Sequence, residues 1–151
     1  MGALQNMLVW TLDTRSYALP LTSIERVLPA VASSALPDAP DSVLGLVDVH
    51  GRLVPVFDMR RRFLLPPRET ALSDLLVLAR ANRRPVAFYA DSVRTAPVGA
   101  IEAVAEHLTA GRAFVTGVAQ TPDGMIVIHD LERFLTLDDD ACLRLALSLA
   151  A

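Results

Sequence analysis

The chain has 151 residues with 52% apolar, 5% aromatic and 21% charged side chains and a formal net charge of −3, which fits one ordinary domain or two very small ones sharing an aliphatic core and excludes wholesale disorder. The acidic balance gives no general attraction to nucleic acid or to anionic membranes. A single cysteine, Cys142, excludes an intrachain disulfide and a Cys-based metal cluster, and the absence of lysine removes Schiff-base chemistry and Lys-centred phosphoryl transfer.

In chain order, Met7 to Asp13 reads as a strand with Leu8, Trp10 and Leu12 on one face, followed by a polar turn into Ser16 to Leu19. Thr22 to Leu28 is open to two readings: Ile24, Val27 and Leu28 have helical spacing, while β-branched residues and flanking prolines fit a short strand. Ala30 to Asp41 is a proline-punctuated connection, and Ser42 to Gly45 fits one helical turn. Leu46 to Val49 and Leu53 to Asp58 then flank His50, Gly51 and Arg52 as the arms of a hairpin. Pro55 predicts an edge strand or a bulge at that place.

Asp74 to Ala79 and Pro85 to Asp91 form a second round of strands, with Thr95 to Ile101 extended after them. Phe114 to Gln120 and Met125 to His129 flank the turn composition Thr121-Pro122-Asp123-Gly124. From Asp138 onward, aspartates at the start and Leu143 and Leu147 on one face predict a C-terminal helix over 138–151, leaving 1–137 as the main domain. A faint echo runs through the chain. Gly45-Leu46-Val47, Gly51, Asp58 and Phe63 parallel Gly117-Val118-Ala119, Gly124, Asp130 and Phe134, which supports two related β units.

Catalytic patterns are poor. His50, His107 and His129, with Asp48, Asp58 or Asp130, lack short metal-ligand spacing, so a small metal-dependent enzyme is the weaker alternative, and no metal or other cofactor is expected. No serine sits in a nucleophile-elbow context and no Gly-rich loop leads to a lysine. Arg60, Arg61 and Arg62 are too few for a nucleic-acid footprint and read as a solvated or protein-facing surface. No apolar run is long enough for a membrane span and the first residues do not resemble a signal peptide, so a cytoplasmic protein is expected.

From about Leu8 to Leu135 the chain resembles the CheW-like chemotaxis coupling proteins. The resemblance rests on Trp10-Thr11-Leu12 with Tyr17-Ala18-Leu19-Pro20, on Ile24-Glu25-Arg26-Val27-Leu28, and above all on the run from Gly45 through Val49-His50-Gly51-Arg52 to Arg60. Ala90-Asp91-Ser92-Val93, Phe114-Val115-Thr116-Gly117 and the stretch from Gly124 to Leu135 support it in the second half. It implies a mostly β fold of two small SH3-like barrel subdomains around a shared hydrophobic seam.

It also implies a non-catalytic adaptor that binds the regulatory domain of a CheA-like histidine kinase and the cytoplasmic hairpin tip of a methyl-accepting chemoreceptor, recruited to membrane-bound receptor arrays without inserting in the membrane. A related scaffold serving a non-flagellar output, such as type IV pilus control, is the closest alternative. Ile24, Arg26, Val27 and Val54 are the implied receptor contacts, and Gly45, Asp48, His50 and Gly51 the implied kinase- or partner-binding loop. Three positions depart from the family pattern: Arg26 stands where Glu is common, Asp48 where Asn is common and His50 where Arg is common. The opposite signs of the first two suggest a swapped ionic arrangement between them.

Overall fold

The computed structural model describes residues 5–37, 39, 41–81, 83–99, 102–103, 115–122 and 124–131. Among these residues, eleven strands build two sheets: β1 (Gln5–Leu12), β2 (Arg15–Pro20), β3 (Ile24–Pro29), β4 (Val43–Val49), β5 (Arg52–Phe57), β6 (Leu75–Ala81), β7 (Arg84–Ala90), β8 (Ser92–Val98), β9 (Glu102–Ala103), β10 (Val115–Thr121) and β11 (Gly124–His129). One sheet runs β8-β1-β2-β11-β10-β9 and the other β3-β6-β7-β5-β4. A single helical turn, α1 (Met59–Arg62), follows β5, with the Asp58 side chain accepting the Arg61 amide as its cap. The predicted helix at 138–151 and Cys142 lie outside the described residues, as does His107.

The two halves of the chain exchange strands. Residues up to Phe57 lay the β1–β2 hairpin in the first sheet and β3, β4 and β5 in the second; later residues lay the β6–β7 hairpin in the second sheet and β8 to β11 in the first. Each sheet is then joined by one parallel pairing between halves, β11 with β2 and β5 with β7. The correspondence reaches fine detail. β4 carries Leu44 as an extra residue between Val43 and Gly45, and β10 carries Thr116 between Val115 and Gly117. Ser34 bridges Leu46 on the outer side of β4 as β9 pairs with β10. The echo between the two glycine-bounded segments is the sequence trace of this repeat.

Neither sheet closes into a barrel by a continuous ladder among the described residues. The second sheet curls until its first strand meets its far hairpin, and the Ala30 to Ser42 connection closes the gap through Ser34 and Leu46, whose amides and carbonyls exchange two bonds of 2.8 Å. Gly45 makes that approach possible. A Cβ there would stand 2.3 Å from the Ser34 carbonyl oxygen.

Strand alternation divides the core into three parts. Met7 and Val9 face Ala18, Val98, Ala119, Ile126 and Ile128 inside the first sheet, while Leu76 and Leu78 face Val47, Val49, Val54 and Val56 inside the second. The opposite faces meet between the sheets: Leu8, Trp10 and Leu12 from β1 pack with Val77, Ala79 and Phe88, sealed by Met59 and Phe63 at the ends of α1. This seam is the shared hydrophobic surface expected from the sequence. Fully enclosed Trp10 sits at its centre, with ring centroids 4.8 Å from Tyr17, 4.6 Å from Phe88 and 5.4 Å from His129.

Three sequence expectations change in the structure. Ser42 to Gly45 is not a helical turn, because Val43 already pairs with Phe57 in β4. Pro55 is neither on an edge strand nor at a bulge: β5 lies between β4 and β7, Pro55 pairs regularly with Leu46, and the irregularity in β4 lies opposite Val56 and Phe57. Its missing N–H is accommodated because the parallel ladder to β7 engages only Val56 and Phe57. Arg60 is not a free surface cation. Its guanidinium grips Asp13 at 2.8 and 3.2 Å and its side chain is only 11% exposed, while Arg68 joins Asp74 at 3.0 Å and Asp91 at 2.6 Å. These ion pairs tie the β1–β2 turn, α1 and the start of β6 together at one end of the seam.

Candidate functional site

The β4–β5 turn is a two-residue loop closed by the Val49–Arg52 pair. Both loop residues are left-handed, His50 at φ 51° and Gly51 at φ 83°, which is the backbone twist that matches two paired strands. The Gly51 amide donates to Asp48 Oδ1 at 2.7 Å, so the aspartate fastens the turn from its own strand. Asp48→Ala is therefore expected to cost about 1 kcal/mol, and Asp48→Asn, which keeps an acceptor, much less. Urea unfolding of the two variants checks this, and equal losses would count against the capping role.

β3 approaches this turn from the opposite side of the curled sheet. Its pairing with β6 steps from Ile24–Ala79 to Arg26–Leu78, so Glu25 is a bulged residue. The bulge has two effects. It brings Ile24 and Val27, three residues apart, onto the same apolar seam, and it leaves Glu25 and Arg26 both exposed. Helical spacing in this stretch was thus a strand with one residue inserted.

Glu25 accepts from Arg52 at 2.7 Å and lies 3.6 Å from Arg80. The Arg52 hydrogen bond holds its carboxyl below the usual carboxylate range, with the charge of Arg80 adding to it. Arg26 Nη1 stands 3.3 Å from His50 Nε2. Between these groups lies a groove of about 310 Å³ lined by Glu25, Arg26, Val49, His50, Arg52 and Leu78.

The structure thus brings together two of the sequence candidates, Arg26 and His50, with Asp48 and Gly51 supporting the turn beneath them. Ile24 and Val27 are half-buried beside it. Gly45 is buried against the Ser34 backbone, where its role is close packing. Val54 is a correction: it is wholly enclosed within the second sheet, because alternation along β5 points it inward, and it offers a partner no surface. Arg26 and Asp48 do not form an ion pair; Arg26 meets His50 and Asp48 meets the Gly51 amide. Glu25, Arg52, Val49 and Leu78 were not singled out from sequence, since only the curl of the sheet joins residues so far apart in the chain.

His129, the other described histidine, is enclosed in the seam. Its Nε2 accepts from the Trp10 indole at 3.0 Å, and burial pushes its pKa down to about 3. Among the described residues no three His, Cys, Asp or Glu side chains gather as metal ligands, and no helix is long and apolar enough to cross a membrane.

A family model for the CheW-like domain matches residues 6–139. Among curated proteins, the chain is similar to the chemotaxis protein CheW of Klebsiella aerogenes, 21% identical over 148 aligned positions covering 91% of this chain and 85% of that protein. It is also similar to chemotaxis protein CheW of Helicobacter pylori, 23% identical and covering 81% and 76% of the two chains. Among solved structures, the crystal structure of the scaffolding protein TtCheW from Thermoanaerobacter tengcongensis superposes with a TM-score of 0.80 at 24% identity, covering 92% of this chain and 91% of that one. The two-sheet architecture agrees with that fold. With the family model spanning nearly the whole sequence, this chain belongs to the CheW-like domain family, whose general role is that of a signalling adaptor.

Proposed function

We propose that this chain is a non-catalytic adaptor that couples a CheA-like histidine kinase, through its regulatory domain, to the cytoplasmic tip of methyl-accepting chemoreceptors. The observation that carries this reading is the meeting of β3 with the β4–β5 turn around one exposed groove, where Arg26 and His50 stand side by side. Family membership supports the class of partner. Ile24, Arg26 and Val27 serve the receptor side, and the turn of Asp48, His50 and Gly51 serves the kinase side or supports it; Gly45 contributes by shaping the strand beneath. An adaptor with two such surfaces turns separate weak encounters into one assembly by raising the concentration of kinase beside receptor.

The test is reconstitution of the purified chain with the kinase and the receptor-bearing membranes of its own cells. Kinase autophosphorylation is expected to become receptor-dependent only when the chain is present, and the chain alone is expected to turn over no ATP. ATP turnover by the chain alone, or receptor control that is complete without it, would refute the proposal.

A further inference from the structure

The bulge at Glu25 sets two charged side chains of β3 on the exposed side, and their fates differ. Glu25 is neutralised within the protein by Arg52 at 2.7 Å and Arg80 at 3.6 Å. Arg26 is not. Among the described residues its polar contact is the His50 ring, 3.3 Å away, and no carboxylate pairs with it. The groove therefore presents two guanidiniums and an imidazole against one carboxylate that is already engaged. A guanidinium held at a groove wall with no anionic partner is suited to take a carboxylate in a two-pronged hydrogen bond, and Val49 and Leu78 supply apolar lining for the stem carrying it.

We propose that this groove receives a glutamate or aspartate side chain of the chemoreceptor tip, with the Arg26 guanidinium as its recognition group. The inference rests on the adaptor reading above and adds the chemistry by which this chain selects its receptor. The charge at position 26 makes the choice: a receptor presenting a basic side chain there is rejected, because it would face Arg26 with Arg52 behind it.

The experiment is titration calorimetry of the full chain against purified hairpin-tip fragments of the chemoreceptors encoded in its own genome, and separately against the regulatory domain of the kinase. Arg26→Glu is expected to weaken binding of the cognate tip roughly 30-fold or more, with Arg26→Lys falling between it and wild type. Changing one carboxylate of the tip to Arg should restore binding to Arg26→Glu while weakening binding to the wild-type chain. The unfolding midpoint is expected to stay unchanged, since Arg26 is exposed. Tip binding that is indifferent to Arg26→Glu, or a loss confined to the kinase domain, would overturn the assignment while leaving the adaptor reading intact. A wild-type chain that binds neither partner would overturn both.

Discussion

Acidification is expected to lower the stability of this protein by about 1.4 kcal/mol per pH unit below pH 6.5, through one side chain. His129 is 1% exposed and its Nε2 must be unprotonated to accept the Trp10 indole N–H at 3.0 Å. Burial therefore lowers its pKa from 6.5 to about 3 in the folded state. Between those two values the unfolded chain binds a proton that the folded chain does not. Stability is thus complete above pH 6.5, falls as pH drops, and levels off near 3 as the folded ring protonates as well. His129→Gln offers an acceptor without a titration, so its unfolding free energy should be nearly flat between pH 6.5 and 5. Urea midpoints across that window decide the matter: parallel slopes in wild type and variant would exclude His129 as the source. The lowered carboxyl groups of Asp13 and Glu25 act only in more acidic solution.

Replacing Gly45 by Ala is expected to cost about 3 kcal/mol, the sum of overpacking and weakened hydrogen bonding. The added Cβ would lie 2.3 Å from the Ser34 oxygen and 2.8 Å from its carbonyl carbon, and backbone cannot rotate aside as a side chain can. The connection must retreat, which strains the paired bonds between Ser34 and Leu46 that close the second sheet. Gly51→Ala provides the contrast. Nothing lies within 4 Å of a Cβ there, so only the left-handed backbone at φ 83° is penalised, by about 1 kcal/mol. Chemical denaturation should rank wild type above Gly51→Ala and Gly51→Ala above Gly45→Ala; the reverse order of the two variants would show that closure through Ser34 matters less than the turn.

Much of this fold is legible in short-range pattern. Alternation in Met7 to Asp13 assigned Leu8, Trp10 and Leu12 to one face, and the His50-Gly51 turn followed from a glycine between apolar arms. What failed to show has a common physical cause, namely pairing between distant segments. Thr22 to Leu28 stayed open between helix and strand because a bulge imposes a spacing of three between Ile24 and Val27 on what is a strand. Pro55 suggested an edge or a bulge because a proline in an interior strand is tolerated only where the neighbouring ladder does not reach it, and that depends on β7. Val54 could be either a contact or core until the curl of the second sheet gave its inward face an interior.

The candidate site was legible to a similar degree. Arg26 and His50 were marked separately by their departure from the family pattern, and the structure joins them. The suggested partnership of Arg26 with Asp48 came from sign alone, which carries no distance; the turn claims Asp48 first. Arg60 looked like surface because its partner Asp13 is contributed by a hairpin of the other sheet.

The exchange of strands between halves also governs when the protein comes into being. A nascent chain that has emerged as far as α1 holds parts of both sheets and a complete version of neither, since β5 awaits β7 and β2 awaits β11. The last described strand docks beside the second, so the seam around Trp10 is sealed only once β11 has emerged. A product that stopped before β11 would leave that aromatic surface open to solvent.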